Sequence, residues 1–568
     1  MSFGYLFKRL DFRITKTNDM ITKTLTNFLL LHSLLLAGLL YCSIADAQEW
    51  TWVSGSDLTD QSGVYGVMGT ADPANGPGSR NGTVGFTDDD GRIWIYGGFG
   101  LASDAITLGR LNDLWRFDPA TGEWTWIRGS NLTDQPGNYG TMGIPHPANE
   151  PPGRNRPNIW KTADACWIFG GLGAPGERRN DLWRYDMTAN TWTWVKGSSA
   201  VNQFGAYGAQ GTPNPNNSPG SRNGAFEWTD ADDNLWLFGG FGFGASGDPS
   251  LLADLWKFDA SSFEWTWVQG STGTDISPVH GTMGTPSNVN TPGARVSSVS
   301  WVDKEGNLWL FGGWVTNFIR YNDLWKFDPA SGQWTWMKGG NISNQNAVLN
   351  IADPTNPGPD DTPGARNGSV SWTDVNGNFW LYGGFGLGLN GDVAAPLNDL
   401  WMYEVEENLW YFKGGSLTDL DQPPVYGTMG TPDANNTPGG RSSMAGTLGS
   451  DGNLWLFGGI NGGTARMNDL WLFSSDDLIS GVDDPAVSGT ILRLFPNPAY
   501  SEIHLSIAGG GGSEQWQVTI YDSLGKQVAN TRFSGNELSW PIDRLPRGAY
   551  LLSMDNGKER EIRRFVKM

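Results

Sequence analysis

The sequence predicts an all-β protein: a six-bladed β-propeller closed by its own N-terminal strand, followed by a small C-terminal β-sandwich. Three observations predict it. Four short markers each recur six times at a period of roughly 70 residues. The last unit lacks the strand that ends the others, while a spare copy of that strand stands ahead of the first. A separate strand-rich segment follows an Asp- and Ser-rich stretch near the C-terminus.

The markers are independent of one another. A Trp-Thr-Trp triplet starts at Trp50, Trp124, Trp192, Trp265 and Trp334, with a degenerate Trp410-Tyr411-Phe412 after them. A Gly pair starts at Gly97, Gly170, Gly239, Gly312, Gly383 and Gly458. Asp-Leu-Trp starts at Asp113, Asp181, Asp254, Asp323, Asp399 and Asp469. A Pro- and Gly-containing element ends at Arg80, Arg154, Arg222, Arg295, Arg366 and Arg441.

Each unit reads as four strands. In the first, Gly82–Thr87 leads to a turn at Asp88–Gly91 and then to Ile93–Tyr96, which ends at the Gly pair. A variable loop reaches Leu114–Phe117, the turn Asp118–Gly122 follows, and Trp124–Ile127 completes the set. Asp, Pro and Gly stand where tight antiparallel turns need them. The nearly continuous apolar strands suit sheets covered on both faces. Cys166 takes the place of Ile93 and Leu235 in such a strand and reads as a small buried apolar residue.

The unit that starts at Arg441 ends near Phe473 without a fourth strand, and Trp50–Trp52 lies ahead of the first Arg. The simplest pairing makes that N-terminal strand the outer strand of the last blade. Ring closure of this kind removes the sheet edges that an open array exposes.

The order Arg, Gly-Gly, Asn-Asp-Leu-Trp-x-Phe-Asp-Pro-x-x-Gly-x-Trp resembles the kelch repeat, as in the galactose oxidase central domain, over about residues 50 to 474. Kelch units run to about 50 residues, and the units here carry roughly 20 more, placed after the fourth strand, as in Gly129–Gly153.

A second resemblance covers residues 491–568. Leu494-Phe495-Pro496-Asn497-Pro498-Ala499, Val518–Lys526, Leu545-Pro546-Arg547-Gly548-Ala549-Tyr550-Leu551 and Phe565-Val566-Lys567 are similar, in that order, to the C-terminal sorting domain of the type IX (Por) secretion system. The resemblance implies a Bacteroidetes-type Gram-negative bacterium, passage across the outer membrane, and the type IX machinery as partner. The expected organisation is a signal peptide over 1–47, the propeller over 48–474, a linker over 475–490 and the sorting domain over 491–568.

Export also follows from the leader. Lys8, Arg9, Arg13, Lys16 and Lys23 precede an apolar run over Phe28–Leu40, and Ala45-Asp46-Ala47 supplies a small-x-small cleavage pattern. Met20 offers an alternative start that gives a leader of more usual length. No later segment is apolar enough to span a bilayer, so none is expected in the mature protein. Of the two cysteines, Cys42 falls in the leader, which leaves no intrachain disulfide. The net charge of −21 argues against nucleic acid as a partner, because phosphate binding rests on clustered Lys and Arg.

Loop length places any site. Loops between strands two and three, and from strand four to the next blade, share one face and hold all the length variation. Binding loops on a rigid scaffold are a common arrangement. Three sets of candidates lie there. The first is the ring of Arg80, Arg154, Arg222, Arg295, Arg366 and Arg441. Cations about 8 Å apart repel by about 2 kcal/mol at an effective dielectric near 20, so each pairs with a carboxylate such as Asp113, or anions enter the channel. The second is the residue after each Gly pair, Phe99, Leu172, Phe241, Trp314, Phe385 and Ile460, which either packs between blades or offers a stacking surface for sugars. The third is a loop motif at Tyr65, Tyr139 and Tyr426, in which His280 replaces Tyr. Arg178, Arg179, Trp314, Arg320 and His280 are the blade-specific candidates.

No catalytic or metal set stands out, and no cofactor is expected. The copper site of the galactose oxidase relatives needs two His and a Tyr crosslinked to Cys. The propeller offers only His146 and His280, with Cys166 in a core strand. Turns such as Thr87-x-Asp89-x-Gly91-x-x-Trp94 resemble the Asp-box of sialidases, which is a turn-forming feature. The expected function is a secreted or surface-displayed non-enzymatic binding protein for a glycan or an envelope protein. The alternatives are a glycosidase- or sialidase-like enzyme using paired carboxylates, and a structural surface or adhesion component.

Overall fold

Alternation of short aromatic strands with Asp/Gly turns produces a chain of antiparallel sheets. In the computed structural model the described residues are 49–475, apart from 105, 316–318, 352–355 and 392, and 491–567, apart from 496–501, 509–514, 523–525, 536 and 557–559. The expected leader and most of the linker lie outside them. The described chain is all-β, consistent with a β-propeller.

Six sheets of four principal strands occupy residues 49–474. The first contains Val84–Thr87, Ile93–Leu101, Leu108–Asp118 and Glu123–Arg128. The second contains Asn158–Lys161, Cys166–Phe169, Leu182–Asp186 and Thr191–Lys196. The third contains Phe226–Thr229, Leu235–Phe238, Ser250–Asp259 and Glu264–Thr274. The fourth contains Val299–Val302, Leu308–Phe311, Leu324–Asp328 and Gln333–Lys338. The fifth contains Val370–Thr373, Phe379–Gly386, Ala395–Glu404 and Leu409–Gly414. The sixth contains Ala445–Leu448, Leu454–Asn461 and Ala465–Ser474, with Glu49–Ser54 as its outer strand. Trp50 pairs with Phe473 and Trp52 with Trp471.

The turn between strands one and two is built by one carboxylate. Asp88 accepts the backbone N–H groups of Asp90 and Arg92 and the Trp94 indole N–H, the last at 2.7 Å. Asp230, Asp303 and Asp374 do the same for Trp236, Trp309 and Trp380. The anchoring residue is thus Asp88 rather than its neighbour Asp89.

Strands buried on both faces explain the lack of polar alternation. Ile93, Trp94, Ile95 and Tyr96 are all buried, and apolar clusters fill the space between successive sheets. One joins the first and second sheets through Trp94, Ile168 and Trp192, and another joins the sixth and first through Phe457, Leu470, Ile93 and Trp115. Cys166 lies in the former at 1 % exposure, and burial pushes its thiol pKa well up.

Where the inner strands begin, six residues hydrogen-bond in a cycle. The N–H of Arg156 donates to the carbonyl of Gly82, Gly224 to Arg156, Ser297 to Gly224, Gly368 to Ser297, Ser443 to Gly368, and Gly82 to Ser443. All six have φ between 51° and 67°. Arg156, Ser297 and Ser443 hold this left-handed conformation without being glycine, while at Gly82 a Cβ would lie 1.9 Å from Asn155 Oδ1 and would displace that side chain.

The described residues of the C-terminal segment form seven strands in two sheets. Ile491–Phe495, Glu502–Ala508 and Glu537–Pro541 form one; Gln515–Asp522, Gln527–Ser534, Gly548–Asp555 and Arg560–Lys567 form the other. Ile503, Leu505, Trp516, Val518, Leu552 and Phe565 share one buried cluster. Among the described residues no helix is long and apolar enough to cross a membrane.

Candidate functional site

The six arginines that precede the inner strands are buried at 0–1 % exposure. Arg80 donates to both oxygens of Asp113, at 2.7 and 2.8 Å, and Arg222 does so to Asp254 at 2.6 and 2.7 Å. Arg154–Asp181, Arg295–Asp323, Arg366–Asp399 and Arg441–Asp469 repeat the fork. Each Asp also accepts the indole N–H of the Trp two residues on, as Asp254 does from Trp256 at 2.7 Å. Burial by itself would lower the Arg80 guanidinium pKa, but the Asp113 charge raises it overall. The expectation that this ring offers cations to a ligand is therefore corrected: the charges are fully enclosed and neutralised in place.

His280 belongs to the same scaffold. Tyr65, Tyr139, Tyr207 and Tyr426 donate their hydroxyls to Asp113, Asp181, Asp254 and Asp469 at 2.7 to 3.0 Å. His280 occupies the corresponding place in the fourth sheet, with Nε2 3.1 Å from Asp323 Oδ2, between Trp325 and Trp336. It is 9 % exposed and faces a structural carboxylate, not a binding surface. Arg179 donates to Glu177 and to the Tyr139 hydroxyl and does not line the cavity described below.

A second set of arginines stands one layer further out. The strand register places Arg110 opposite Phe99, Arg178 opposite Leu172, Leu251 opposite Phe241, Arg320 opposite Trp314, Pro396 opposite Phe385 and Arg466 opposite Ile460. Arginines of even sheets stack on phenylalanines of the next odd sheet. Arg178 lies over Phe241 at 4.5 Å, Arg320 over Phe385 at 4.8 Å and Arg466 over Phe99 at 4.9 Å. Arg110 covers the same Phe99 at 5.0 Å. The sequence carries this alternation: Arg-Asn-Gly starts at Arg80, Arg222 and Arg366, and Gly-Gly-Phe-Gly at Gly97, Gly239 and Gly383, both in odd sheets only.

One stretch of this layer encloses a cavity of about 460 Å³, lined by Arg156, Arg178, Arg320, Phe241, Trp314 and Asn223, with Leu172, Val296, Ser297 and Asn367 completing the wall. Of the residues expected at a site, it brings together Leu172, Phe241, Trp314, Arg178 and Arg320. Phe99 and Phe385 are ring-mates under arginines, and neither lines it. Arg156, Asn223 and Asn367 were missed. The signal for Arg156 was present: it is the charged member of a position that is otherwise Gly or Ser.

A second void, of about 330 Å³, runs between the inner strands themselves. Arg156 reaches it too, donating to Ser443 Oγ at 3.0 Å. Glu227 is the carboxyl in this void; Asn158 Nδ2 donates to it, and burial raises its pKa to about 8.

Comparison with known proteins bears on the C-terminal segment. Residues 493–568 match the family described as the secretion system C-terminal sorting domain. The chain carries an export tail. A protein with this sorting domain is secreted or displayed at the cell surface in Bacteroidetes, and the domain is its link to the type IX machinery. The leucine-zipper-like transcriptional regulator 1 homolog of Drosophila melanogaster is 26 % identical over 242 residues, 43 % of this chain. The match spans about a fifth of that relative, 19 % of its length. Among solved structures, that of YjhT is 15 % identical, covers 70 % of this chain and 96 % of its own, and has a TM-score of 0.42. A fungal alcohol oxidase of the AA5 family, in complex with copper, is 14 % identical, with coverage of 86 % and 85 % and a TM-score of 0.37.

Proposed function

We propose that residues 48–474 form a six-bladed kelch-type β-propeller closed by Glu49–Ser54, and that the exported protein is a non-enzymatic binding protein for a saccharide. The pairing of Glu49–Ser54 with Ala465–Ser474, the packing of the sixth sheet on the first and the six-residue backbone cycle all support closure. In this reading residues 1–47 are the leader and 475–490 the linker to the type IX sorting domain.

The observation that carries the function is the cavity between Phe241 and Trp314, lined by residues of the segments that follow the Gly pairs. Aromatic faces beside guanidinium and amide groups suit the apolar faces and hydroxyl edges of a sugar ring. Glycoside cleavage needs a pair of carboxyl groups, and the described residues that line this cavity include neither Asp nor Glu.

The test is a saccharide array probed with the mature exported protein, followed by product analysis on every binder. Binding without a released product is expected. Turnover of a bound saccharide, or retention of an envelope protein with no saccharide binding, would overturn this reading.

A further inference from the structure

The cavity arginines differ from the other arginines of their layer in what stands beside them. Four loop residues accept the backbone N–H of these arginines. Asp134 does so for Arg110 at 2.9 Å and Asp60 for Arg466 at 3.2 Å. Each carboxylate also lies within ion-pair reach of the guanidinium it serves, at 3.9 and 4.0 Å. For Arg178 and Arg320, the two that line the cavity, the same position is an amide: Asn202 and Asn344, each at 2.9 Å. The amide keeps the backbone hydrogen bond and removes the charge.

Hydrogen bonding also leaves an open donor at the cavity. Arg320 Nε donates to Asn367 Oδ1 at 2.6 Å and Arg466 Nε to Asn81 Oδ1 at 2.9 Å. The corresponding pair at the cavity, Arg178 Nε and Asn223 Oδ1, is buried with no partner on either atom among the described residues, and so are Arg110 Nε and Asn155 Oδ1 away from it. Burial lowers the pKa of Arg156, Arg178 and Arg320, whereas at Arg80 the Asp113 charge reverses the effect of burial.

Resting on the saccharide reading above, we propose that the cavity is specific for an anionic saccharide, whose carboxylate or sulfate group sits among Arg156, Arg178 and Arg320 with its ring against Trp314 and Phe241. A planar guanidinium matches the two oxygens of such a group, and charge-assisted pairs of this kind are the strong ones. The stacking of Arg178 on Phe241 holds its fork in place before the ligand arrives, which lowers the ordering cost of binding. The surroundings sharpen the contrast, since the chain as a whole carries a net charge of −21.

The test is calorimetric titration of the full mature protein with four probes: a uronate-terminated disaccharide, its neutral alcohol analogue, a sulfated disaccharide and a short polyglutamate peptide. The uronate or sulfated probe should bind at least about 10-fold more tightly than the neutral one, and the stronger of the two identifies the group. Asn202→Asp and Asn344→Asp, which install the residue found at Asp60 and Asp134, should together weaken the acidic probe about 10- to 100-fold, in line with the loss of one charge-assisted contact. Arg156→Ser, which copies Ser297 and Ser443, should weaken it by about 10-fold. Circular dichroism and the unfolding temperature confirm that these variants fold. Equal binding of acidic and neutral probes, or unchanged acidic binding in the Asn202→Asp, Asn344→Asp variant, overturns the anion inference and leaves the saccharide reading standing. Binding of polyglutamate alone, or of none of the probes while the array also stays blank, overturns both.

Discussion

Two sets of arginines recur through the six sheets and follow opposite rules. The inner ring, Arg80 to Arg441, is repeated six times, and each member is forked onto an Asp and fully buried. The outer layer has Arg in four places and Leu251 and Pro396 in the other two, and its carboxylate neighbours become Asn202 and Asn344 beside the cavity. A contact needed to hold every sheet is repeated in every sheet. A contact needed by one ligand is made where the repeat breaks.

The largest effects come from breaking the inner ring. Arg222→Met leaves Asp254 buried without its cation, and losing one partner of such a pair costs about 3–5 kcal/mol. Urea unfolding should show the loss, or the protein should fail to accumulate. Arg178→Ala, one layer out, should cost under about 1 kcal/mol. Nearly as large is removal of Glu49–Ser54, which uncovers the edge of Ala465–Ser474 and the apolar site of Trp50. Light scattering should report aggregation of that variant, and a monomer of unchanged stability would break the closure reading.

A smaller effect tests the void between the first strands of the sheets. Glu227 keeps its proton in the folded state up to about pH 8, whereas an unfolded Glu releases it near the ordinary glutamate value of 4.5. The folded state thus binds more protons across this window, so stability falls as pH rises from about 4.5 to 8 and levels off above. Each pH unit crossed costs at most about 1.4 kcal/mol, and less where solvent reaches the carboxyl. Glu227→Gln should flatten the decline in unfolding temperature between pH 5 and pH 9. The smallest effect is expected of His280→Tyr, which copies Tyr65 and its equivalents. It should shift stability by about 1 kcal/mol or less and leave saccharide affinity unchanged.

The strands and turns were legible because Trp-Thr-Trp, the Gly pair and Asp-Leu-Trp mark them in almost every unit. The missing strand after Phe473 and the spare one at Trp50 also carried enough signal to suggest their pairing. The inner arginines drew attention for the same reason, since a repeated charge is easy to see. Whether Arg80 met Asp113 or a ligand depended on a contact across 33 positions, and sequence alone left both open. The outer layer was harder to read. The residue opposite each member of the Phe99–Ile460 set is fixed by the loop between strands two and three, and those loops differ in length from sheet to sheet. Arg156 was hidden by its neighbour Arg154, and its place at the cavity follows from a left-handed backbone, φ 51°, that no side-chain pattern announces.

The most direct measurement is the unfolding temperature of the wild type, Arg178→Ala and Arg222→Met, each with and without a saturating uronate-terminated disaccharide. A ligand present at 100 times its Kd stabilises the state it binds by about 2.7 kcal/mol. The account predicts that the wild type gains several degrees on adding the ligand. Arg178→Ala should start within about 4 °C of the wild type and gain almost nothing, and Arg222→Met should start far lower. An Arg178→Ala protein that melts as early as Arg222→Met, yet still gains as much from the ligand as the wild type, would contradict it.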